Sequence, residues 1–150
     1  MIDARQDEQW ICDHVASSNA ERLAAITEGS SEIIRASTIF AERMSMGGDL
    51  LWLGDDNAWT HLLLYPVAVS RIHAINKDQV GNLDSVIVCS SSPGIVSLVE
   101  LSERKIPTIG FGCNLCKYDP GVKWPQYLDA MVAFMALTQR KFLALTQKND

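Results

Sequence analysis

Three consecutive hydroxyls, Ser90-Ser91-Ser92, followed by Pro93 and Gly94, are the residues of this chain best suited to holding an anion. They come directly after Val86-Ile87-Val88-Cys89, an apolar run with the composition of a parallel strand covered on both faces. Ser92 can cap the next helix and Pro93 suits its first position. Unpaired backbone donors and the positive end of the helix dipole are therefore expected beside Ser90 and Ser91, where a phosphate or carboxylate would fit. The simpler alternative is a hydroxyl-rich cap that only ends the strand.

Moving a proton between neighbouring carbons needs a positioned base and acid, usually carboxylate or imidazole. The candidates are Asp55, Asp56, His61 and His73. No spacing pairs them: His61 sits among Leu62, Leu63 and Leu64, where hydrogen-bonded packing is the commoner role, and Asp55 and Asp56 suit the first turn of a helix dipole. Cys113-Asn114-Leu115-Cys116 has the spacing of a redox pair or half of a tetrahedral zinc site. No second such pair exists, and Lys117 to Val122, with Asp119-Pro120-Gly121, reads as a turn rather than the helix a redox motif opens. No metal and no cofactor are expected.

These residues need a frame. The chain looks helical up to about Ile26, with Trp10, Ile11, His14 and Val15 on one side, and the Ser18 to Glu21 capping-box spacing predicts a restart. A second helix is expected around Ile33, Ser37, Phe40 and Met44, with Ile34 and Ala41 beside them, ending at Gly47-Gly48. Leu50 to Leu53 reads as a buried strand broken at Gly54, followed by a helix from Asp55 to about Val69 that contains Pro66. A short strand at His73 to Ile75 has only a weak pattern. After the serine turn, Ile95, Val99 and Ser102 share one helical face with Val96 and Leu98 adjacent, and the strand Thr108 to Phe111 completes a βαβ unit. A final helix from about 125 to 146 is apolar around much of its circumference, which predicts either sandwiching within the domain or a second copy against it.

The 150 residues suit one domain, with amino-terminal helices over about 4–46, an α/β core over about 49–112 and the final helix. A composition 47% hydrophobic and 21% charged is that of an ordinary water-exposed protein, and a formal net charge of −5 disfavours nucleic acid. With no leader-like segment and no long apolar run, a cytoplasmic location and no membrane association are expected. Scattered cysteines predict reduced thiols.

Gly47-Gly48, the LLWLG strand of Leu50 to Gly54, Ser90-Ser91-Ser92-Pro93 after the Asp84 and Val86-to-Val88 lead-in, and the later IPTIGF follow the order of a known pattern. In these features the chain, over about Ala20 to Phe142, resembles a SIS (sugar isomerase) domain, nearest the short phosphoheptose-isomerase-like branch. The resemblance implies an α/β fold, a three-layer αβα sandwich with a mainly parallel sheet and Rossmann-like topology. It also implies a pocket for a sugar phosphate or related anion built from Ser90, Ser91, Ser92 and Gly94 with Gly54 and Asn57, and a homo-oligomer, through the helices and especially residues 125–146. The departures are informative. Pro93 stands where the family commonly has glycine, Asp55 and Asp56 follow Gly54 where a serine is usual, and the family's metal-ligating histidine and acid correspond to Leu64 and Val67. The reading is a phosphosugar-binding protein without the family's metal-dependent chemistry. The alternatives are an active aldose-ketose isomerase, with Asp55, Asp56 or His61 as weak catalytic candidates, and a non-catalytic homo-oligomeric scaffold.

Overall fold

The computed structural model describes residues 4–54, 72–74, 80–89, 95–111, 116–122 and 127–148. In chain order the elements are α1 (Ala4–Ser45), β1 (Leu50–Gly54), β2 (Ile72–Ala74), β3 (Ser85–Cys89), α2 (Ile95–Glu103), β4 (Thr108–Gly110) and α3 (Tyr127–Lys148). The four strands form one sheet in the order β2-β1-β3-β4, and every pairing is parallel. The expected helix after Gly54 lies outside the described residues.

Successive side chains of a strand point to opposite faces, so a strand apolar at every position needs cover on both. Leu50, Trp52, Ile87, Cys89 and Ile109 pack with Ile33, Phe40 and Met44 of α1 and Met131, Phe134 and Met135 of α3. Leu51, Val86 and Val88 pack instead with Leu98 and Leu101 of α2, joined by Val80 and Ile106. The fold is thus mixed α/β, a small parallel sheet with helices on both faces. Phe134 sits at the centre of the larger core, edge-on to Phe40 with ring centroids 5.2 Å apart and tilted against Phe111 at 5.7 Å.

Three sequence expectations change. The two amino-terminal helices are one, of 42 residues. Ser18 does not leave the helix to cap a new one: Ala20, Ala24 and Ala25 favour continuation, and the Thr27 and Ser30 hydroxyls donate to the carbonyls of Leu23 and Thr27 instead of interrupting it. Gly29, the one weak helix former in that stretch, is buried where α1 crosses the chain after β4, and a Cβ there would lie 2.5 Å from the Pro120 carbonyl oxygen. In α2, among the described side chains, Leu98 and Leu101 are buried, whereas Val99 and Ser102 face outward. Over nine residues with apolar groups at most positions, periodicity alone did not choose the face. Finally, the weakly patterned strand forms as Ile72–Ala74 beside β1.

Both α1 and α2 end in the same six-residue cap. In α1, Gly48 N donates to Arg43 O at 2.9 Å and Gly47 N to Met44 O at 3.1 Å, with Gly47 at φ 104. In α2, Ile106 N donates to Leu101 O at 2.9 Å and Lys105 N to Ser102 O at 3.0 Å, and Ile106 and Leu101 share the apolar contact that accompanies such caps. Here a lysine occupies the left-handed position, at φ 58. A side chain there costs roughly 1–2 kcal/mol, partly offset by the entropy glycine loses on folding. Lys105→Gly is expected to stabilise the protein by about 0.5–1 kcal/mol in urea unfolding.

A polar knot sits at the amino edge of the sheet. The buried Asp84 carboxylate accepts from Asp49 N at 2.8 Å and Gly81 N at 2.6 Å, and Ser85 N donates to Asp49 O at 3.1 Å. Arg43, at the end of α1, donates to the carbonyls of Asp84 and Asn82, while Arg104, just past α2, donates to Val80 O and to Asn82 Oδ1. Removing the carboxylate strands two amides, each costing about 1–3 kcal/mol when left unpaired and shielded from water. Asp84→Ala is expected to lose about 2–4 kcal/mol in the same measurement, and Asp84→Asn distinctly less because one acceptor oxygen survives.

The two helices on the larger core are tied by Lys141, whose ammonium donates to Ile34 O at 3.1 Å, Ser37 Oγ at 2.8 Å and Thr38 Oγ1 at 2.7 Å. Desolvation lowers its pKa from the ordinary value, with Glu42 pulling weakly the other way. The unfolded chain therefore binds more protons across the window between the lowered folded value and 10.5, so this group's contribution to stability rises with pH there. Relative to Lys141→Met, the wild type is expected to gain stability as pH is raised through that alkaline window, read as paired urea melts. A flat difference would contradict this.

Candidate functional site at the carboxyl edge of the sheet

The site is built from the strands that lead to it. β1 and β3 lie side by side in full register, Leu50 beside Ser85 through Gly54 beside Cys89. Their entrances are fastened together by the Asp84 and Asp49 hydrogen bonds, and both strands are five residues long, so they finish level. From β1 the chain goes on to β2 on one side; from β3 it goes on through α2 to β4 on the other. The carboxyl ends of β1 and β3 are therefore the place where the order of strands reverses direction, the crevice at which open parallel sheets take their ligands.

Among the residues expected to bind a ligand, Gly54 is described: it is the last residue of β1, opposite Cys89. Ser90, Ser91, Ser92, Gly94, Asn57 and the catalytic candidates Asp55, Asp56 and His61 lie outside the described residues. Chain connectivity still constrains two of these segments. Residues 55–71 begin at Gly54 and residues 90–94 begin at Cys89, so both start from the same point of the sheet edge. His73 is in β2 beside Leu51, within the strand and not beyond its carboxyl end.

Cys116 does not stand at this edge. It packs on the α2 side against the smaller core, and the next residue, Lys117, donates its backbone N–H to Thr108 Oγ1 at 3.0 Å, at the start of β4. Tyr118 then bridges to Ile109 in parallel, with Gly110 N donating to Tyr118 O and Tyr118 N to Thr108 O, both at 3.0 Å. The chain after Cys116 is thus an extra edge to the sheet and not the helix that a redox pair opens. Cys113 lies outside the described residues. The Asp119-Pro120-Gly121 turn appears as expected: Gly121 N donates to Asp119 Oδ1 at 2.9 Å. Among the described residues, no three histidine, cysteine or acidic side chains gather as a metal site would require.

Asp129 lies in the first turn of α3, where a carboxylate complements the helix dipole, and it pairs with Arg22 at 3.2 Å. Both side chains are well exposed, so the pair contributes little to stability. Sequence reasoning did not foresee the organising role of Asp84. The available signal was an acid set between the Gly81-Asn82 turn and a wholly buried strand. Among the described residues no helix is long and apolar enough to cross a membrane. In comparison with known proteins, no family model matches the chain and no curated protein matches it.

Proposed function

We propose that this chain is a SIS-like protein, a three-layer αβα sandwich of Rossmann-like topology, that binds a sugar phosphate or related small anion at the carboxyl edge of its sheet. The observation that carries the reading is the level ending of β1 and β3 at the reversal of strand order, with the serine run beginning directly after Cys89. In this reading Ser90, Ser91 and Ser92 would supply hydroxyl donors and Gly94 a backbone amide. Gly54 and Asn57 would complete the pocket in this reading. Pro93 removes one backbone donor, and Asp55 and Asp56 oppose an anion, so affinity is modest and millimolar ligand is required. The apolar Leu64 and Val67 leave the resembled family's metal chemistry without its ligands, and recognition rather than isomerisation is the activity proposed.

A second reading, a homo-oligomeric scaffold in which the serines only cap α2, is favoured by the exposed apolar side chains of α1. Thermal unfolding separates the two. At ten times its dissociation constant a ligand stabilises by about 1.4 kcal/mol, which for a chain of this size raises Tm by roughly 3–5 °C. The expected outcome is a shift of that size with one or more sugar phosphates, lost in the Ser91→Ala, Ser92→Ala double variant. An unchanged Tm across a broad panel of sugar phosphates and inorganic phosphate would overturn the binding reading in favour of the scaffold.

A further inference from the structure

We draw no further inference here: the strongest candidate, the pair of guanidiniums that Arg43 and Arg104 bring to the Asn82 turn at the amino edge of the sheet, belongs to the polar knot already described, where its hydrogen bonds to oxygens of Val80, Asn82 and Asp84 account for it as a brace between α1 and α2.

Discussion

A single carboxylate sets the geometry of this sheet. Asp84 accepts the amide of Asp49, at the entrance to β1, and the amide of Gly81, on the turn that leads into β3. Parallel neighbours have no hairpin to fix their register, so something else must. Here the side chain of the residue immediately before one strand holds the backbone immediately before the other. Once the two entrances are locked, a shift of one residue would turn Ile87 and Cys89 out of the larger core and Val86 and Val88 out of the smaller one. Local hydrogen bonds and long-range burial thus enforce the same register. The level carboxyl ends on which any ligand crevice depends follow from it.

The helices are fixed to this sheet by different means on its two faces. Against the larger core, α1 and α3 interlock through Phe40 and Phe134, and Lys141 ties the backbone of one to the other. Against the smaller core, Leu98 and Leu101 of α2 pack on the sheet, and a terminal cap and the arginine just beyond it hold its end. Arg43 and Arg104 bring the ends of α1 and α2, from opposite faces, onto one turn. The amino edge is consequently the braced side of the molecule, while the other edge is where chemistry-bearing residues begin.

Much of this frame was legible in the residues. The runs at Leu50 to Leu53, Val86 to Cys89 and Thr108 to Phe111 read as buried strands because no solvated face interrupts them, and the Gly47-Gly48 stop needed only the left-handed preference of glycine. Other elements turned on a balance of local propensities or on tertiary contact. Ser18 to Glu21 has the spacing of a cap, yet helix formers on both sides outweigh it. Three residues of β2 carry too little pattern to announce a strand and exist because β1 offers a free edge. The candidate site was legible as composition only: serines, carboxylates and glycines can be listed from sequence, but that Gly54 and Cys89 stand side by side requires the register.

The crossing of Gly29 over Pro120 gives α1 a mechanical property. Beyond that contact α1 still meets the body at Ile26 and, through the ion pair with Asp129, at Arg22, and the segment from Ala4 to Arg22 extends about 27 Å further at 1.5 Å per residue. The missing side chain lets the two backbones come close enough to act as a bearing. A tilt of ten degrees at Arg22, by simple leverage, would sweep the far tip through about 5 Å. Small adjustments of the chain after β4 are thereby amplified at the distant end of the helix, and a bulkier residue at position 29 would lift the lever from its pivot.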